Sequence, residues 1–198
     1  MSSLLGENSY RVRLNAALDS LSEQAVVEFG AALSRARVGK NRLWIVGNGG
    51  SATTADHFAT DLLRCSDTEG RPLHAMSLCS NTGILTATSN DLGYENVFSR
   101  QLGSVASNGD LLLAISASGN SSSIVSAINW AIQHNVFTIG LTGFDGGAVR
   151  NLVDISVHVA SASGDYGVVE DVHLTICHMV AESLREDGAS EAALGETS

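Results

Sequence analysis

Leu43-Trp44-Ile45-Val46-Gly47-Asn48-Gly49-Gly50-Ser51 decides the fold: an apolar strand-like run, a glycine turn, then a serine that opens a helical stretch. The same order returns at Leu111-Leu112-Leu113-Ala114-Ile115-Ser116-Ala117-Ser118-Gly119-Asn120-Ser121. A strand, a tight turn and a helix N-terminus together aim free backbone N–H groups and a positive dipole end at one point. Small hydroxyls there add donors without blocking close approach. The pattern suits a phosphate, and its repetition suits a phosphorylated small molecule. Neither turn carries the Gly-Lys-Ser/Thr of a P-loop or reads G-x-G-x-x-G, so nucleoside triphosphates and dinucleotides are not indicated. Taken singly, each turn also reads as an ordinary βα connection with a serine N-cap.

Outward from these turns, short apolar runs alternate with helical stretches. Strands are expected at Leu43–Val46, Leu73–Leu78, Leu111–Ile115, Phe137–Leu141 and Ile155–Val159. Helices are expected at Ser51–Arg64, Asn81–Ser89, Glu95–Val105, Ser121–His134, Gly146–Leu152 and Val168–Arg185, with one or two amphipathic helices between Ser9 and Arg37. This is the pattern of an α/β three-layer sandwich, a doubly wound, flavodoxin-like sheet of five parallel strands covered on both faces. In such folds ligands bind beyond the carboxyl ends of the strands, where both serine turns fall.

The composition limits the alternatives. At 198 residues with a single proline, the chain fits one domain, residues 1–186, with N-terminal helices in 1–40 and an α/β core in 41–186. The acidic, Ala- and Ser-rich residues 187–198 read as a disordered tail. A net charge of −10 argues against nucleic-acid binding. No apolar run reaches the 18 or so residues of a membrane span, and residues 1–7 do not read as a secretory signal. Three scattered cysteines, Cys65, Cys79 and Cys177, read as reduced thiols of a cytoplasmic protein.

Four side chains are candidates for chemistry. His57 and Asp61, four apart, project from one face of the helix opening at Ser51. Glu170 and His178 lie on the last long helix, two turns plus about 80° apart, with His173 between them. Two imidazoles and two carboxylates suit either a tetrahedral site for zinc or a similar divalent ion, or an acid–base set for proton transfer. A solvated Asp61 and structural histidines are the plain alternative. Asn90-Asp91 and Thr142-Gly143-Phe144-Asp145-Gly146-Gly147 are further polar loops on the ligand edge, Asp91 suited to sugar hydroxyls or to capping a turn.

Together, Gly47–Ser51, Asp56-His57-Phe58-Ala59, Asn90-Asp91 with Val97-Phe98-Ser99-Arg100, Ile115–Ser121, Leu141–Gly143 with Asp145-Gly146-Gly147, and Glu170–His173 ending at His178 resemble the sugar isomerase (SIS) domain, and within it the phosphoheptose isomerases. The resemblance implies a cytoplasmic homotetramer with active sites at subunit interfaces. It implies that Ser51, Ser116, Ser118 and Ser121 hold a sugar phosphate, with Asn48 and Asp91 near the sugar and Gly49, Asn90 and Asn120 completing the substrate set. It implies that His57, Asp61, Glu170 and His178 surround the reacting carbons and can bind zinc, with Asp61, His178 and Glu170 in the catalytic roles. The implied reaction converts sedoheptulose 7-phosphate to a heptose 7-phosphate through an enediol. Two positions depart from the family: Asp61 stands for its Glu and Glu170 for its Gln, and Gly164–Val169 lacks the basic residue that commonly precedes that Gln. These departures leave open an octulose or modified heptose phosphate as substrate. A noncatalytic phosphosugar regulator or adaptor is the other alternative.

Overall fold

A computed structural model describes residue 6, residues 9–65 and residues 73–195, with side chains over 9–64 and 73–186. Five strands, β1 (Arg42–Gly47), β2 (His74–Ser77), β3 (Leu111–Ser116), β4 (Phe137–Thr142) and β5 (Ile155–His158), form one sheet in the order β2-β1-β3-β4-β5. Every pairing is parallel. This is the doubly wound α/β sandwich expected from the alternation of apolar runs and helices, with strand ends within two residues of those expected.

Alternation along each strand builds two cores. Leu43 and Ile45 of β1 and Leu111, Leu113 and Ile115 of β3 join one core with Phe29, Phe58, Val172 and Ile176. Trp44, Val46, Leu112 and Ala114 join the other with Phe98, Leu102, Ile124 and Ile128. The first core is covered by α1 (Tyr10–Asp19), α2 (Glu23–Gly39), α3 (Gly50–Cys65) and α8 (Tyr166–Gly195). The second lies under α4 (Thr82–Leu92), α5 (Ser99–Val105), α6 (Ser122–Gln133) and α7 (Val149–Leu152). With both faces covered, the strands are apolar throughout: all six residues of β3 are buried.

Some boundaries differ from the expected ones. The stretch Glu95–Val105 divides into a single 3-10 turn, Tyr94–Asn96, and the short α5. The loop before Leu152 keeps only one helical turn, because the Asp145-Gly146-Gly147 turn comes first. The last helix starts two residues early, at Tyr166, and its backbone continues to Gly195; residues 196–198 of the expected tail lie outside the described residues. Cys79 is half-buried and Cys177 buried, both unpaired, and burial pushes both thiols up. The side chain of Cys65 lies outside the described residues. No helix among the described residues is long and apolar enough to cross a membrane.

Candidate active site

The sheet order reverses between β1 and β3, neighbours whose outgoing chains leave toward opposite faces. At such a switch point the loops part and leave a crevice. Both serine turns follow these two strands, and a cleft of about 280 Å³ lies between them. Its walls are Asn48, Gly49, Gly50 and Ser51 from the first turn, Ser116, Ala117, Ser118 and Ser121 from the second, and Tyr166 and Glu170 from α8.

The cleft is organised for an anion, with no cationic side chain among the described residues of its lining. The N-terminal ends of α3, α6 and α8 all reach it, at Gly50, Ser121 and Tyr166. Three helix starts concentrate positive potential there even though the whole chain is acidic. The hydroxyls are set by the backbone. Ser116 Oγ accepts from the Gly119 N–H at 3.1 Å and Ser118 Oγ from the Asn120 N–H at 3.3 Å. A hydroxyl that accepts in this way still has its own proton to donate. Ser121, the N-cap of α6, makes no side-chain cap bond, so its hydroxyl is also spare. Gly119 is required by this turn: at φ +63° a Cβ there would collide with the Gly146 backbone.

Glu170 shares this cleft. Its carboxylate lies so close over Gly50 that any side chain at that position would displace it. A carboxylate at the first residues of α3 is favourably placed by the helix dipole. It also sets a negative charge beside the place where a phosphate would sit.

About two turns further on, α3 and α8 carry the second group. The two helices come together at Gly50 and Glu170 and run side by side, so His57 and Asp61 meet His178. The His57 and His178 Nε2 atoms are 3.2 Å apart, and each stands close to Asp61 Oδ2, at 3.4 and 3.5 Å. Asp61 Oδ2 is buried without a hydrogen-bond partner, and the imidazoles are half-exposed with rings crossing at 64°. Three donor atoms thus face one another, a geometry that fits a divalent ion. Zinc–ligand bonds of about 2.0–2.1 Å in a tetrahedron place ligand atoms roughly 3.3–3.4 Å apart, close to all three separations here.

Of the four proposed ligands, the structure brings three together, and within a single chain. Glu170 is not part of this group and turns to the cleft, over Gly50. Its neighbour on α8, His173, is fully buried against β4; burial pushes it down to about 4, a lowering that nearby His158 reinforces and the Thr142 backbone partly opposes. Asn90 and Asp91 do not line the cleft: exposed at the end of α4, they hydrogen-bond each other at 2.8 Å. Asn120 works as a brace, donating to Ser118 O and accepting from Ala148 N–H. Sequence reading missed Tyr166 in the cleft wall, and Tyr94 and Ser123, which hold Asn48 (Tyr94 Oη to Asn48 Oδ1, 2.7 Å; Asn48 Nδ2 to Ser123 Oγ, 2.9 Å). Only the period of α6 marks Ser123 in the sequence, and nothing local marks the tyrosines.

A switch-point cleft lined by hydroxyls and helix starts, next to an imidazole–carboxylate group, defines a phosphosugar-handling SIS domain. Residues 9–143 match the SIS domain family, and the chain belongs to it. It stands there with the phosphoheptose isomerases. It is 39% identical over 157 residues to the phosphoheptose isomerase of Geobacter sulfurreducens, covering 79% of this chain and 82% of that one. It is 43% identical over 148 residues to that of Aliarcobacter butzleri, covering 73% and 77%. The structure of a phosphoheptose isomerase from Francisella tularensis superposes with a TM-score of 0.82 at 27% identity, over 94% of this chain and 100% of that one. The chain is accordingly a phosphosugar isomerase.

Proposed function

We propose that this enzyme interconverts sedoheptulose 7-phosphate and an aldose heptose 7-phosphate through an enediol. The observation that carries the reading is the offset between cleft and cluster along two parallel helices. Ser51 to His57 is a rise of about 9 Å, and Glu170 to His178 about 12 Å. A seven-carbon chain of bonds of about 1.5 Å each, extended with its phosphate ester, spans roughly 9–10 Å from phosphorus to the carbonyl end. A phosphate anchored at Ser51, Ser116, Ser118 and Ser121 would therefore bring C1 and C2 to the imidazoles.

There, one group takes a proton from C1 as the electrons make the C1–C2 double bond and the C2 carbonyl oxygen takes up a proton, giving the enediol; loss of the O1 proton then forms the carbonyl at C1 as a proton is returned to C2. His178 and Asp61, in contact at 3.5 Å, form the pair that moves this proton. A His–carboxylate pair suits that task near neutral pH. Glu170, the third residue expected in the catalytic set, lies at the phosphate end in this reading and not beside C1 and C2. Alternatively, a divalent ion, zinc or similar, would be held by the same atoms of His57, Asp61 and His178 and would polarise the carbonyl oxygen in place of their proton-transfer role. The reading includes a cytoplasmic homotetramer, which exposed Val27, Leu63 and Met179 on α2, α3 and α8 support.

The test is proton NMR of the protein with sedoheptulose 7-phosphate in deuterated water, with and without zinc. Expected are anomeric signals of an aldose phosphate and deuterium at C2. Unchanged ketose spectra under both conditions would remove this substrate.

A further inference from the structure

We infer that Tyr94 is a positioning residue for the anion cleft and acts through Asn48. The inference rests on the phosphosugar reading of the cleft, and its first readout, inorganic phosphate binding, does not depend on which sugar is turned over.

Asn48 sits in the first turn, between β1 and α3, and lines the cleft. Its amide is held at both ends by groups from other elements. Tyr94, on the 3-10 turn after α4, donates its O–H to Asn48 Oδ1 at 2.7 Å. Asn48 Nδ2 donates to Oγ of Ser123 at 2.9 Å, and Ser123 is buried in the first turn of α6. The same α6 begins at Ser121 of the second serine turn. One amide therefore ties the two walls of the cleft together.

A primary amide can present its oxygen or its nitrogen to either neighbour. The Ser123 hydroxyl accepts or donates and does not choose between them. The Tyr94 phenol is a good donor, and its bond to Oδ1 selects the orientation that sends Nδ2 to Ser123. That orientation leaves the second amide N–H to an incoming anion as a neutral, fixed donor. Without the phenol, the flipped amide offers its carbonyl oxygen instead, an acceptor that repels phosphate. Tyr94 itself is about half exposed, at 51%, so its hydroxyl adds little to the folded core.

Tyr94→Phe keeps the ring and removes the donor. Losing one oriented hydrogen bond corresponds to roughly a 3- to 10-fold change in an equilibrium. The Kd for inorganic phosphate and the KM for sedoheptulose 7-phosphate should both rise by about that factor. The value of kcat should stay within about twofold and Tm should not move, a split that general damage to the structure would not give. In an Asn48→Ala background the same substitution should add nothing, because the residue it acts through is gone. Asn48→Ser supplies the same cycle if the alanine variant does not fold.

Wild-type phosphate affinity in Tyr94→Phe, or equal losses with and without Asn48, would overturn the inference. If the unmodified enzyme leaves sedoheptulose 7-phosphate untouched while the phosphate coupling holds, the substrate assignment fails and the role of Tyr94 stands.

Discussion

The cleft and the His–Asp cluster sit on the same two helices and are built on opposite principles. In the cleft, polar groups are already engaged: Ser116 and Ser118 accept backbone N–H bonds, and Asn48 is held at both ends. What remains is a set of spare donors pointed by structure formed before any ligand arrives. In the cluster the reverse holds. Asp61 Oδ2 is buried with nothing donating to it, and two imidazole nitrogens crowd the same point. A buried carboxylate oxygen left unpaired costs free energy. The cleft's polar groups are satisfied within the fold, whereas the cluster keeps an unmet acceptor that a proton or a cation would satisfy. Binding and chemistry should therefore respond to different substitutions.

The largest expected separation is His178→Ala. Loss of a positioned acid–base group lowers turnover by about 10²–10⁴-fold, while phosphate affinity and Tm stay near wild type because the imidazole is half-exposed. Isothermal titration with phosphate beside a turnover assay checks this. A variant that loses both together would show that the two regions are not separable.

Asp61→Asn removes the anionic member of the cluster. Zinc affinity should fall by at least about 10²-fold, with phosphate binding unaffected. Metal titration monitored by calorimetry gives the number. Equal zinc binding in the two proteins would mean that the three facing atoms are only a hydrogen-bonded group.

Between the regions on α8 stands His173, whose burial lowers it to about 4 from an ordinary 6.5. The unfolded chain takes up this proton first, so stability falls as pH drops from about 6.5 toward 4, by on the order of 3 kcal/mol in all. Below that window the contribution is flat. Denaturant unfolding of the wild type and His173→Leu across this range should give a shallower profile for the variant, and parallel profiles would remove His173 as the cause.

The smallest effect sharpens the contrast most. Glu170→Gln deletes a negative charge from a cleft that should receive an anion. Phosphate should bind several-fold more tightly. Weaker phosphate binding would mean that the Glu170 carboxylate supports the cleft rather than opposing its ligand.

The sheet was readable from sequence because parallel strands buried on both faces are continuous apolar runs, and Leu111–Ile115 has no polar residue to blur it. The cleft was readable for a related reason: glycines and serines next to a strand have few other uses in such number. The pairing of His57 with Asp61 followed from helical spacing, and the meeting with His178 required two helices to pack side by side. Sequence spacing alone cannot set that register, and it misjudged Glu170, whose carboxylate swings to Gly50 and away from His57, Asp61 and His178. Tyr94 was invisible because its partner is 46 positions away and it falls just before the expected helix Glu95–Val105, in a turn that carries no pattern.

Because α3 and α8 leave the cleft together, their residue count sets how far the His57, Asp61 and His178 group stands from the cleft. Inserting one residue between Ser51 and His57 would move the imidazole by about 1.5 Å and turn it by about 100°, away from both companions. Side chains of different reach therefore change that distance in small steps, whereas a position gained or lost within these two segments takes the cluster apart.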